Sequence, residues 1–218
     1  MKRITEQELM LDSEQVLAYA NADFEDPHSG FITMFKEFID NELISGNVLD
    51  AGCGPGDITF RFAKEFPKTY IDAVDGSQTM ISYATKLLDQ KKDIKKRIRF
   101  IHSMIDAFVP DREYSFILSN SLLHHLHDPD LFWYTVKRCS TENTRIFIMD
   151  LRRPHGFEAA MNLVKKYAGE EPDILKKDFF NSLIAAFEPA EIREQCRKCG
   201  LDRLSVSEQG DRHVVICG

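Results

Sequence analysis

From Val48 onward the chain alternates short apolar runs with stretches whose apolar residues recur every three or four positions. The runs at 47–50, 70–74, 98–102, 114–119 and 144–150 are too short and too apolar for amphipathic surface helices, so they are expected to be central strands. Between the second and third runs, Met80, Ile81, Ala84, Leu87 and Leu88 fall on one face of a helix. A helical pattern also covers 58–66, and Phe31, Phe35, Phe38 and Ile39 place another before the first strand. Strands alternating with helices predict a parallel sheet wound with helices. Near the C-terminus, runs at 203–207 and 212–217 are joined by Glu208-Gln209-Gly210-Asp211, a turn so short that it permits only antiparallel pairing. The expected fold is α/β: one domain over 1–218, with a doubly wound, seven-stranded, mostly parallel sheet that ends in an antiparallel hairpin. Residues 1–46, with their helical patterns, and residues 151–188 are additions to that core.

Composition narrows the functional classes. With 43% hydrophobic and 29% charged residues, the chain has enough apolar content for a core on both faces of a sheet. A net charge of -7 and a pI near 5.5 oppose binding to a phosphate backbone, so no nucleic-acid partner is expected. The basic run Lys91-Lys92-Asp93-Ile94-Lys95-Lys96-Arg97 is read as a solvated turn. No stretch approaches the length of a membrane span, and the first residues lack an apolar signal region. Five cysteines then suit reduced thiols, and the expected location is cytoplasmic.

The strongest chemical signal is Val48-Leu49-Asp50-Ala51-Gly52-Cys53-Gly54-Pro55-Gly56-Asp57, a strand leading through a glycine-rich turn into a helix. Glycines there permit positive φ and let a ligand approach the main chain, while the helix N-terminus favours an anionic group; a nucleotide-like ligand is implied. The spacing is Gly-x-Gly-x-Gly with an acid two residues earlier, unlike the Gly-x-Gly-x-x-Gly of dinucleotide folds. Asp75 ends the second strand and is placed to accept two hydrogen bonds from ribose hydroxyls, with Gly76 and Ser77 beside it. Asp72, inside the run, is read as pointing to solvent.

Over about residues 47–150, and again in the closing hairpin, the sequence resembles the class I S-adenosylmethionine-dependent methyltransferases. The resemblance implies S-adenosyl-L-methionine as cofactor, S-adenosyl-L-homocysteine as product, and packing of Asp50, Gly52, Gly54 and Gly56 against the methionyl part. It also implies adenine contacts at the end of the third strand. Here His102-Ser103-Met104-Ile105-Asp106 replaces the family's Gly-Asp pair, so Ser103 and Met104 take that role, with Asp106 one turn on. Asn120, closing the fourth strand, joins the cofactor set. The implied function is direct in-line methyl transfer to a small-molecule acceptor. A non-catalytic cofactor-binding protein and an NAD-dependent oxidoreductase are the alternatives; the glycine spacing and the hairpin count against the second.

The stretch Asn120-Ser121-Leu122-Leu123-His124-His125-Leu126-His127 lies at the carboxyl edge of the sheet, where open α/β folds bind ligands. His125 is the candidate proton acceptor, and Tyr19, His124 and Arg152 are candidate acceptor contacts. No metal is expected, because His124 and His127 offer one helical pair and no further His/Cys cluster completes a site. Cys196 and Cys199 match Cys-x-x-Cys but continue the apolar stripe of Ile192, which core packing explains. Residues 155–188, rich in aromatics, and the region around Tyr19 and Phe24 are expected to cover the reacting groups and select the acceptor.

Overall fold

The computed structural model describes residues 1–6 and 25–218. Helix α1 (Glu25–Phe38) precedes β1 (Gly46–Ala51), α2 (Asp57–Glu65), β2 (Thr69–Asp75), α3 (Gln78–Asp89), β3 (Ile98–His102) and β4 (Phe116–Asn120). Then follow α4 (Pro129–Cys139), β5 (Arg145–Leu151), α5 (Phe157–Ala168), α6 (Asp173–Ala185), α7 (Pro189–Lys198), β6 (Ser205–Gln209) and β7 (His213–Cys217). The seven strands lie in the order β3-β2-β1-β4-β5-β7-β6. All pair in parallel except β7, which runs antiparallel to both β5 and β6. The expected architecture is therefore the observed one. The hairpin is tighter than its sequence implied: β6 runs on to Gln209, and Gly210, at φ +61°, makes the reversal.

Strands buried on both faces are mostly apolar, and the buried stretches of β1 and β5 are so apart from Asp50 and Asp150 near their carboxyl ends: Val48, Leu49, Ala51, Ile146, Phe147, Ile148 and Met149 are all buried. One face packs on α4 and α7, where Trp133 is fully buried and its indole N–H donates to Gln195 Oε1 at 2.9 Å. Cys196 and Cys199 lie in this layer with Ile192, as free thiols whose pKa values burial raises. The other face packs on α1 and α2. Phe35 sits edge-on to Phe62, Phe66, Phe116 and Phe147 at centroid distances of 4.9–5.8 Å. The part of the expected N-terminal cover from Glu25 to Ile39 is thus a core helix. Tyr19 and Phe24 lie outside the described residues.

Local signals set the helix starts. Ser77 caps α3 by accepting from Met80 N, Asp128 caps α4 with Pro129 in its first turn, and Glu188 and Glu191 form a capping box on α7. Helices α5 and α6 pack together on Leu151, at the carboxyl end of β5. The basic run is a turn followed by a short 3-10 segment, mostly exposed, although Arg97 turns inward to the carbonyls of Ala63, Phe66 and Thr69. Among the described residues no helix is long and apolar enough to cross a membrane.

Candidate functional site

The carboxyl edge of the sheet carries two clusters. The first is built on the turn from β1 to α2. Gly52, Gly54 and Gly56 all adopt left-handed φ, at +76°, +52° and +88°. A β-carbon at Gly52 would strike Leu122, and one at Gly56 would strike Phe100, whereas one at Gly54 would meet nothing within 4 Å among the described residues. The flanks of the loop are therefore packed and its crest at Gly54 is open. Asp75 ties the loop to β2: its two carboxylate oxygens accept from Gly54 N and Ser77 N, each at 2.8 Å. Burial raises the Asp75 pKa above the ordinary carboxylate value, against these two hydrogen bonds. Each carboxylate oxygen keeps a further lone pair for a hydroxyl donor.

Asp50 is buried below the loop, where Thr59 Oγ1 donates to it at 2.5 Å. Burial pushes its pKa up to about 6, and the nearby Asp75 adds to that. Asp50 fixes the loop to α2 from beneath. Ser77 is likewise buried, its hydroxyl engaged as the α3 cap. Gly76 supplies its carbonyl to His102 Nε2 at 3.1 Å. Ser103 and Met104 stand at the rim: Ser103 N donates to the Asp75 carbonyl at 3.0 Å, and Met104 is exposed. Asp106 is exposed as well. At the end of β4, Asn120 Oδ1 is a buried oxygen without a hydrogen-bond donor among the described residues. Ser121 follows it at φ +56°, a left-handed conformation for a non-glycine residue. Asp72 does not point to solvent. It is buried between Arg99, which pairs with it across β2 and β3, and the Tyr114 hydroxyl, each at 2.8 Å, so its role is to hold strands together.

The second cluster lies where β4 and β5 end. Asp150 Oδ1 bonds His124 Nδ1 at 2.5 Å, and its other oxygen accepts from Leu123 N at 2.7 Å. His124 is buried, which would lower its pKa, but the charge and hydrogen bond of Asp150 outweigh burial and hold it above the ordinary value. Burial would conversely raise the Asp150 pKa, and His124 holds it below normal. His125 is the more open ring, its centroid 4.2 Å from that of His124. Its Nδ1 lies 3.2 Å from Glu6 Oε1, which is also 3.7 Å from His124 Nε2. Burial raises the Glu6 pKa, against the attraction of His124.

Glu6 arrives on a strap, Met1–Glu6, that crosses the end of β4. Arg3 donates to the carbonyls of Ala185, His124 and Leu126, and its guanidinium stacks 3.9 Å from the centroid of Phe187. His127 Nε2 donates to the Glu6 carbonyl at 2.7 Å. Sequence reasoning missed Arg3 and Glu6, since nothing local marks residues that meet His124 some 120 positions later. One ligand atom each from Glu6, His124 and His125 lie within 4.8 Å of one another, a spacing open to a metal ion. The expectation of no metal had counted only histidines and cysteines. Arg152 is not available to an acceptor as expected, because it pairs with Glu208 and reaches the Asp211 carbonyl, bracing the hairpin.

Residues 48–141 match the family model described as a methyltransferase domain. A malonyl-[acyl-carrier protein] O-methyltransferase of Bacillus cereus is 32% identical over 110 residues, which cover 50% of this chain and 38% of that protein. The chain thus spans under two fifths of that relative. A methyltransferase from Aquifex aeolicus superposes with TM-score 0.67 at 18% identity, covering 95% of this chain and 98% of its own. A plantazolicin methyltransferase, solved with a triazolic desmethylPZN analogue and S-adenosylhomocysteine, reaches TM-score 0.71 at 16% identity, covering 94% of this chain and 90% of its own. These two likenesses concern the fold.

Proposed function

Because the chain belongs to the class I S-adenosylmethionine-dependent methyltransferases, we propose that it moves a methyl group from that cofactor to a small-molecule acceptor bound at the carboxyl edge. The observation that carries the proposal is the open crest at Gly54, held by the Asp75 carboxylate, with the orphan oxygen of Asn120 at the end of the neighbouring strand β4. These groups suit the cofactor. Asp75 has lone pairs for ribose hydroxyls, Asn120 Oδ1 awaits a donor such as the methionyl ammonium, and Gly54 allows close approach of the ligand. Gly52, Gly56 and Asp50 keep the loop in shape. Gly76 and Ser77 fix the turn below the ribose, and Ser103 and Met104 border the adenine.

S-adenosylmethionine, when bound, supplies a methyl group already activated by a sulfonium leaving group. The chain's own task is to align the acceptor and exclude water, which is worth roughly 7–11 kcal/mol when positioning is good. His125, partly open and beside Glu6, takes a proton from the acceptor. His124 is a positioning residue, locked by Asp150. We read Glu6, His124 and His125 as a proton-handling set with no metal. Asp150 is already engaged by His124, and the Arg3 guanidinium beside Glu6 and Asp150 opposes a divalent ion. The described strap, α5 and α6 wall the acceptor side.

Small-molecule acceptors are favoured by the acidic charge of the chain and by the plantazolicin enzyme's likeness in fold. The Bacillus cereus relative acts on a malonyl group held by an acyl-carrier protein, so a carrier-tethered acceptor belongs in the same screen. The test is a methyl-transfer screen with labelled S-adenosylmethionine against free and carrier-bound acceptors. Label transfer to at least one acceptor, abolished by excess S-adenosylhomocysteine, is the expected result. Cofactor binding without transfer to any acceptor would favour the non-catalytic alternative.

A further inference from the structure

The hairpin turn at the carboxyl edge carries a cation that the reading above does not use. Arg212 is half-buried, and its guanidinium lies 3.4 Å from the centroid of the Tyr167 ring, with Phe179 at 5.9 Å. Its guanidinium makes no hydrogen bond or ion pair to any described residue, although burial works against its charge. The adjacent carboxylate is already engaged, since Asp211 accepts from Lys166 Nζ and from the Tyr167 hydroxyl, each at 2.7 Å. Stacking on a ring face leaves the guanidinium N–H groups free in their own plane, the arrangement that matches the paired oxygens of an anion.

Arg212 opens onto a groove of about 200 Å³ shared with Met34, Met149, Gln209 and His213. Burial and Arg212 together lower the His213 pKa to about 4, so that ring is neutral at pH 7 and able to donate one hydrogen bond. Position links the groove to the methyl-transfer edge. His213 pairs with Leu151, which sets the turn beyond the end of β5, and Met149 pairs with Asn120. The two methionines give the groove an apolar side, and the turn gives it a cationic one.

We propose that this groove is the acceptor subsite and that Arg212 binds an oxyanion, carboxylate or phosphate, carried by the methyl acceptor. The proposal rests on the methyltransferase reading and names its substrate class. Arg212 is a binding and specificity residue that fixes the far end of the acceptor, leaving the cofactor loop untouched. Arg152, the arginine named from the sequence as an acceptor contact, is tied down by Glu208.

The test is a titration followed by NMR and calorimetry on the full chain saturated with S-adenosylhomocysteine. Malonate probes the carboxylate arm, phosphoethanolamine the phosphate arm, and malonamide serves as the neutral control. At least one anion should bind while malonamide does not, and the stronger arm identifies the anionic group. Arg212→Gln should weaken that anion by about tenfold or more, the range for losing a charged hydrogen bond, with unchanged S-adenosylhomocysteine affinity. Arg212→Lys, which keeps the charge without the planar fork, should recover only part of the loss. A protein that binds S-adenosylhomocysteine but neither anion, or an Arg212→Gln variant that binds the anion as tightly as the parent, overturns the subsite alone. Failure of the parent to bind S-adenosylhomocysteine overturns the methyltransferase reading itself, and with it the acceptor role of the groove.

Discussion

The two halves of the carboxyl edge are built by different means. On the β1–β3 side, the site comes from one continuous stretch: the glycine loop, Asp75 and the rim at Ser103 lie within about fifty residues, joined by backbone hydrogen bonds and parallel strand register. On the β4–β7 side, Glu6, His124, Asp150 and Arg212 come from four separated segments; ion pairs join the first three, and Arg212 stands apart on the Tyr167 ring. The first half needs conformation, which glycines and a single carboxylate supply. The second needs buried charge, which must be balanced residue by residue, and it is there that the proposed acceptor site lies.

The largest expected effect breaks the second half. Asp150→Ala leaves His124 buried without its anion and should cost about 3–5 kcal/mol of folding stability, measured by urea denaturation. The pair also sets a pH window. The Asp150 contribution is present above the unfolded carboxylate pKa, about 3.9, and is lost as pH falls through its lowered folded value. The His124 contribution is complete below the unfolded imidazole pKa, about 6.5, and is lost as pH rises through its raised folded value. Stability from this pair should therefore be greatest between about pH 4 and 6.5, and Asp150→Asn should flatten that maximum.

Next in size is the reaction itself. His125→Ala should lower turnover about 100-fold or more with the identified acceptor, while leaving S-adenosylhomocysteine affinity close to that of the parent. Equal losses in both would make His125 a structural residue. Removal of divalent metal by chelation should leave turnover unaltered, because Arg3 already supplies positive charge beside Glu6 and Asp150. A smaller effect belongs to the first half. Gly54→Val places a branched side chain at φ +52° in the open crest, with strain on the order of 1–3 kcal/mol, and should weaken cofactor binding in a folded protein.

What the sequence made legible follows the same division. Apolar runs marked all seven strands, most plainly the central ones, whose burial on both faces leaves a local trace, and glycine spacing marked the loop, because left-handed φ demands glycine. Asp72 was misread because its partner Arg99 is fixed by the register of β2 against β3, a relation that no local pattern carries. The sequence marked Arg152 as a candidate acceptor contact and gave Arg212 no signal. Only the hairpin, by bringing Glu208 to one and setting the other on Tyr167, makes the first a brace and leaves the second without an ionic partner among the described residues. Glu6 left no signal, as its role depends on a strap held by Arg3 against the ends of β4 and α6.

The central claim is that the Gly54–Asp75 edge holds S-adenosylmethionine, and calorimetric titration of S-adenosylhomocysteine tests it most directly. The parent should bind one equivalent. Asp75→Ala should weaken binding by about 1–3 kcal/mol, the loss of a charged acceptor for the ribose hydroxyls. Asp75→Asn, which keeps the shape of the side chain, should fall between the two, separating ribose contact from loop collapse. A parent protein that does not bind, or an Asp75→Ala variant that is folded and binds as tightly as the parent, would contradict the account.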